Sequence, residues 1–142
     1  IAMRGVGGAR LHRAHVWPDK HWDWTVHLPY RHGLRCGDLV FVGGQVPLDS
    51  AARLLAPGDM VAQTKIAMDY IGRVLGAFGL GFDHVVKVNS FYAGDVGVEL
   101  LLPNLETRFS YFPANGPTST GIPVPNLAYE GMLTEIDVVA IV

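Results

Sequence analysis

Two carboxylates, Glu135 and Asp137, stand in the apolar run Leu133 to Val142 at the end of the chain. Side chains on a strand alternate faces, so both point the same way, together with Leu133 and Val139. Burying a carboxylate is costly unless it is paired or used. Loss of water also raises its pKa, which suits a general acid or base. The plainer alternative is a face that is solvated or meets a cation of a neighbouring subunit. Glu135 is the better candidate, because Asp137 lies nearer the exposed end of the alternation. Upstream, the stretch NGPTSTGIPVPN, Asn115 to Asn126, holds three prolines, two glycines and three hydroxyl residues, with no charge. Loops carried by a rigid scaffold often hold binding groups. Thr118, Ser119 and Thr120 can hydrogen-bond a carbonyl or a hydroxyl, but they offer no cation to an anion.

The other candidate chemistries are weaker. His21 and His27 are six residues apart and His27 and His32 five apart, so neither pair matches a helical i,i+4 ligand set. Cys36 is the only thiol and has no zinc-finger spacing, so no metal is expected. The tripeptide Gly43-Gly44-Gln45 lacks the remainder of a phosphate-binding loop. Its glycines read better as a strand end that a ligand or another backbone approaches closely. No G-x-S-x-G elbow is present, and Cys36 has no activating partner in sequence; it reads as a structural thiol.

The elements that must carry these residues follow from periodicity. Residues 1–28 hold four of the six histidines and all three tryptophans with little periodicity, and read as an arm pinned to the body by the tryptophans. Arg31 to Cys36 and Leu39 to Gln45 read as strands joined by a turn at Gly37-Asp38. Asp59 is placed to cap a helix running to Phe78, with Ala67, Ile71, Val74, Leu75 and Phe78 on one apolar face. Asp69 and Arg73 form an i,i+4 pair on its other side, and Gly79 and Gly81 stop it. Val85 to Tyr92 reads as a strand. Glu99 to Phe112 reads as a second helix whose regular part starts at Pro103, since proline belongs in a first turn. Thr118 to Val124 and Leu133 to Val142 complete the order β-β-α-β-α-β-β. Two helices on one face of a mixed sheet make an α+β fold.

The chain has 142 residues, one domain's worth, with 49% hydrophobic and 17% charged residues. That charge content is below the usual ~25% and favours an oligomer that hides part of the surface. The net charge is -2, and there is no Lys/Arg cluster after Arg35, so nucleic acid is not an expected partner. No apolar run approaches the ~20 residues of a membrane span, so no membrane partner is expected. With one cysteine and no secretory apolar segment near the start, a cytoplasmic location is expected.

Six segments occur in a telling order: LPYRHG (28–33), GDLVFVGGQVPLD (37–49), QTKIAMDYIGRVL (63–75), DHVVKVNSFYA (83–93), PTST (117–120) and TEID (134–137). Over residues 29–142 the chain resembles the Rid superfamily of reactive-intermediate deaminases, also called the YjgF or L-PSP endoribonuclease family. The resemblance implies a chorismate-mutase-like α+β subunit, a homotrimer, no cofactor, and small-molecule sites in three clefts between subunits. It implies hydrolysis of enamine or imine intermediates, such as 2-aminoacrylate released by pyridoxal-phosphate enzymes, to a ketoacid and ammonia. On the matching positions, Tyr30 stands for a cleft tyrosine and Gly44 for a cleft glycine, while Gly43 replaces a serine. Asn104 stands for a cleft asparagine. Glu135 stands for the glutamate that positions the attacking water.

Two positions depart from that pattern. Thr120 stands where many members have cysteine, and Thr118 where the deaminating members have the arginine that grips a substrate carboxylate. A guanidinium fork suits a carboxylate, and threonine does not replace it. The expected ligand is therefore a non-standard one, unless Arg31 or Arg35 supplies the charge. The expectation is a hydrolase or deaminase with Glu135 acting through water and Thr118, Ser119 and Thr120 positioning a carbonyl. A trimer that keeps the cleft for binding, without catalysis, is the alternative. Endoribonuclease activity is the third and weakest, because nothing basic supports it.

Overall fold

The computed structural model describes residues 12–24, 27–94 and 97–142. In chain order its elements are β1 (Arg13–Val16), β2 (Gly33–Cys36), β3 (Leu39–Gln45), α1 (Met60–Ala77), β4 (Val85–Ala93), α2 (Val98–Phe109), β5 (Thr118–Val124) and β6 (Thr134–Ile141). A 3-10 turn, Phe82–His84, leads into β4. The six strands form one sheet in the order β1-β2-β3-β6-β4-β5. β4 and β5 are parallel, which requires the α2 crossover between them, and the other neighbours are antiparallel. The subunit is therefore α+β and chorismate-mutase-like, as expected. β1 is an additional edge strand inside the segment that showed no periodicity.

Alternation divides the sheet cleanly. Val40, Val42, Val88, Ile136, Val138 and Ala140 point to one face and pack on Ala67, Met68, Ile71, Val74 and Leu75 of α1. The opposite face has no helix on it, and Leu39, Phe41 and Ile141 are left about two-fifths exposed there (42%, 41% and 44%). A second apolar cluster joins Trp22, Val46, Leu48 and Met132, flanked by Trp24, Tyr30 and Tyr70.

α1 starts where the Asp59 carboxylate accepts the Ala62 N–H at 3.0 Å, and it ends just before Gly79, whose φ of +74° glycine adopts without strain. The Asp69–Arg73 pair expected on its surface gives way to other partners. Asp69 accepts the Tyr111 hydroxyl at 2.7 Å, and the Arg73 guanidinium lies 5.2 Å over the Tyr70 ring. α2 also differs from expectation. It begins at Val98, so Pro103 lies inside it. Proline there removes the hydrogen bond that would reach the Glu99 carbonyl. Glu99 is exposed, so water can take that carbonyl.

Candidate active site on the uncovered face and its edge

The β3–β6 pairing shifts register between Val42 and Gln45, which places Gly43 and Gly44 in a bulge. A Cβ on Gly44 would run into the Glu135 carboxylate, with Cδ only 2.9 Å and Cγ 3.1 Å away. The close approach anticipated at these glycines is thus made by the Glu135 side chain itself. Glu135 lies on β6, and its register partner on β4 is Phe91. Burial raises its pKa, and the neighbouring Asp137 charge raises it further. Burial also raises the pKa of Asp137, against the Asn89 amide, which donates to Asp137 Oδ1 at 2.8 Å, and the Lys87 charge.

Lys87, Asn89 and Phe91 alternate on β4 and share the uncovered face with Glu135 and Asp137. Their register partners on β5, Thr118, Thr120 and Ile122, lie on that face as well. Lys87 Nζ donates to Thr120 Oγ1 at 2.5 Å, and Thr118 Oγ1 donates to the Val86 carbonyl at 3.0 Å. Ser119 points to the opposite, helix-covered side. The charge-free PTST stretch therefore has a cation beside it after all, supplied by β4. The alternation of VVKVNSF is the sequence signal for Lys87 and Asn89.

The remaining candidates lie elsewhere in the subunit. Asn104 is buried on α2, where the Thr64 hydroxyl donates to its Oδ1. Tyr30 packs among Trp17, Trp22 and His32 and donates to Asp23 Oδ1 at 3.3 Å. Burial and then the Asp23 charge push its pKa up to about 12. Gly43 donates its N–H to the His32 carbonyl at 2.9 Å. Arg31 donates to the Tyr30 carbonyl at 2.8 Å, and Arg35 to the Gly37 carbonyl at 2.9 Å, at the β2–β3 turn. Within one subunit, Glu135 and Gly44 touch and Thr118 and Thr120 share their face. Tyr30 and Asn104 are held apart from them by separate packing. A pocket of about 570 Å³ opens against Lys65, Glu106, Thr107, Ser110 and Tyr111, between the helices, and is not lined by Glu135.

Gln45, the last residue of β3, is the hub of a polar cluster that sequence reasoning missed. His21 Nε2 donates to its Oε1 at 2.7 Å and Trp22 Nε1 at 3.0 Å. Its own amide donates to His32 Nδ1 at 3.3 Å and to the Gly43 carbonyl at 3.0 Å. His32 Nε2 donates to the Trp22 carbonyl at 2.9 Å. Burial lowers the pKa of both histidines, that of His32 to about 4.

No helix of the described residues is long and apolar enough to cross a membrane. The family model described as Endoribonuclease L-PSP matches residues 24–142. Protein DfrA of Myxococcus xanthus is 34% identical over 115 residues, covering 80% of this chain and 85% of that protein. A goat (Capra hircus) protein named 2-iminobutanoate/2-iminopropanoate deaminase is 30% identical over 114 residues, covering 75% of this chain and 83% of that protein. Among solved structures, a putative endoribonuclease of Thermotoga maritima superposes with a TM-score of 0.77 at 25% identity, over 91% of this chain and 97% of its own. Protein YJGH does so with a TM-score of 0.77 at 27% identity, over 92% and 96%. With the bulged β3, the β6 carboxylates and a family match that spans most of its length, the chain belongs to the endoribonuclease L-PSP family, the Rid or YjgF proteins.

Proposed function

We propose that this protein is a cytoplasmic Rid-family homotrimer that hydrolyses a small imine or enamine metabolite in clefts between subunits. Residues 29–142 form the Rid-like domain, and residues 12–24 belong to an N-terminal arm laid on it; residues 1–11, 25 and 26 of that arm lie outside the described residues. The observation that carries the reading is the Glu135 carboxyl, partly buried, seated against the bare backbone of Gly44 with its pKa raised. Such a group holds its proton to higher pH than an ordinary carboxyl does, which suits it to pass a proton to and from water. Water held by Glu135 attacks the imine carbon. The C–O bond forms, the C=N π pair moves to nitrogen, and Glu135 carries the water proton across. The carbinolamine hydroxyl then gives its proton to nitrogen through Glu135, the oxygen lone pair forms the C=O bond and the C–N bond breaks, releasing ammonia and a carbonyl compound. Tyr30, Gly43, Gly44, Thr118 and Thr120 line the cleft when subunits come together, while Ser119 and Asn104 stay on the helix-covered side of the sheet. The uncovered sheet face, with Leu39, Phe41 and Ile141 exposed, is the natural surface for that assembly.

A second reading is a binding trimer that performs no chemistry. It is favoured by Thr118, whose hydroxyl is committed to the Val86 carbonyl and offers no charge. The two separate in one experiment. Neutral and acidic imines are generated in situ by an amine oxidase and an amino-acid oxidase, and ammonia release is followed with and without the protein and its Glu135→Gln variant, with light scattering for mass. Acceleration by the parent and a loss on the order of 10²-fold in the variant supports the hydrolase. Binding without acceleration supports the second reading, and a monomer at micromolar concentration removes the intersubunit cleft.

A further inference from the structure

Glu135 and Asp137 are a carboxyl pair on one strand and one face, two residues and so about 7 Å apart along β6. Both are half-buried, burial raises the pKa of each, and two negative charges this close oppose one another. Their surroundings differ. Asp137 has a donor, because the Asn89 amide across the β4–β6 ladder donates to its Oδ1 at 2.8 Å. It also has a cation nearby. Lys87 stands two residues before Asn89 on the same face of β4, and its charge favours the ionised Asp137. Lys87 Nζ is itself held by Thr120 Oγ1, at 2.5 Å across the parallel β4–β5 ladder. Glu135 has neither kind of help. Its register partner on β4 is Phe91, which has no side-chain donor, and towards β3 its carboxylate meets the bare backbone of Gly44. Among the described residues no salt bridge reaches it, and the one charge acting on it is that of Asp137.

The other groups on this face do not disturb the contrast. β3 brings Leu39, Phe41 and its glycines to it, and β5 brings Thr118, Thr120 and Ile122, so Lys87 and Asp137 are the charged side chains that the neighbouring strands and β6 itself set beside Glu135. Where two carboxyls sit in environments that push them apart, one holds the proton and the other stays charged. We propose that Asp137, held by Asn89 and Lys87, is a positioning residue that stays ionised and so keeps the proton of the carboxyl pair on Glu135. Gly44 of β3, Glu135 and Asp137 of β6, Asn89 and Lys87 of β4 and Thr120 of β5 then work as one row across four adjacent strands. Asp137 acts through Glu135 and carries no proton to the substrate. The consequence for turnover rests on the hydrolase reading above, but the place of the proton is a property of the protein alone.

The test uses the full chain with its Asp and Glu carboxyl carbons labelled with carbon-13 and titrated by NMR, beside the pH–rate profile for the imines generated by the two oxidases. In the parent, of these two carboxyls, the one that titrates at the higher pH should be the signal lost in Glu135→Gln. Asp137→Asn still accepts the Asn89 amide at Oδ1, so it should melt close to the parent. It removes the charge, so Glu135 should titrate at lower pH and the limb of the rate profile that Glu135 sets should move down with it. At a pH on that limb the parent and Asp137→Asn should differ on the order of tenfold. Asp137→Glu keeps the charge and should return the limb toward the parent. Asn89→Val removes the donor that favours the ionised form, so Asp137 should titrate at higher pH than in the parent. The proposal is overturned if the higher titration is the one lost in Asp137→Asn, if the Glu135 titration does not move in Asp137→Asn, or if that of Asp137 does not move in Asn89→Val. Imine turnover that is lost in Glu135→Gln, with a limb that stays in place in Asp137→Asn, sinks this inference alone. The expected NMR shifts in a parent that accelerates no imine sink the hydrolase reading alone.

Discussion

The Glu135 carboxylate lies where a side chain on Gly44 would begin. The bulge in β3 and the alternation of β6 therefore position the Glu135 carboxyl jointly. Gly44→Ala should force Glu135 out of its seat and lower imine hydrolysis on the order of 10²-fold, as Glu135→Gln does. Overpacking should also cost about 1–3 kcal/mol of stability. The two residues must then couple in a double-mutant cycle. Adding Gly44→Ala to Glu135→Ala should cost far less than adding it to the parent. Additive stabilities, measured by urea unfolding, would show that the clash is absorbed elsewhere.

Glu135 also sets a pH signature. Its folded-state pKa lies above the ordinary glutamate value, through burial and then Asp137. A carboxyl shifted upward contributes stability that is present at low pH and lost as pH rises through the folded pKa. Asp137 behaves in the same sense. Glu135→Gln should therefore equal or exceed the parent in melting temperature at pH 8. The parent should gain on the variant as pH falls toward 4. A variant that is less stable at pH 8 and recovers in acid would indicate an ionised, paired Glu135.

Much of this architecture was legible from residue order. The turn residues at Gly37-Asp38, the Asp59 cap and the β-branched runs are local signals, and the elements they mark formed close to the expected positions. What stayed hidden depends on contacts between distant segments. β1 has little periodicity of its own and exists because β2 offers an edge. Lys87 reaches Thr120 only because β5 lies parallel beside β4. Arg108 is an ordinary helical arginine in sequence, and its burial is visible only once α2 is packed.

Pro103 is the local signal that misled. It suggested a helix start, yet α2 is already under way at Val98, and the missing bond falls on the solvent side. Pro103→Ala should restore the donor to the Glu99 carbonyl and relieve the ring, stabilising the protein by about 1–3 kcal/mol. Urea unfolding of the two proteins measures this. No gain would mean that the chain already bends at this point to suit the α1 contact.

The Gln45 hub predicts how the segment of His21 and Trp22 responds to acid. Both histidines serve it as neutral rings, with Nε2–H donated to Gln45 and to the Trp22 carbonyl. A second proton must go to Nδ1. On His32 that atom already accepts the Gln45 amide, and on His21 it is buried without a partner. Arg73 and the paired His21 and His32 oppose further positive charge, and Asp23 favours it only weakly. Burial dominates, and the pKa of His32 falls to about 4. A histidine shifted down contributes stability that is complete above its unfolded value near 6.5 and is lost as pH falls toward the folded value. Stability should thus decline between about pH 6.5 and 4, with His32 contributing a slope of at most about 1.4 kcal/mol per pH unit and His21 acting in the same direction. Trp22 meets the His32 ring edge to face, with centroids 4.5 Å apart, so its fluorescence should change over the same range. His32→Gln, which cannot take up the proton, should be less stable than the parent at pH 7 and show a shallower decline. An unchanged slope in His32→Gln would place the acid sensitivity in other groups. Fluorescence that holds steady to pH 4 while the protein unfolds would show that the arm is not released ahead of the body.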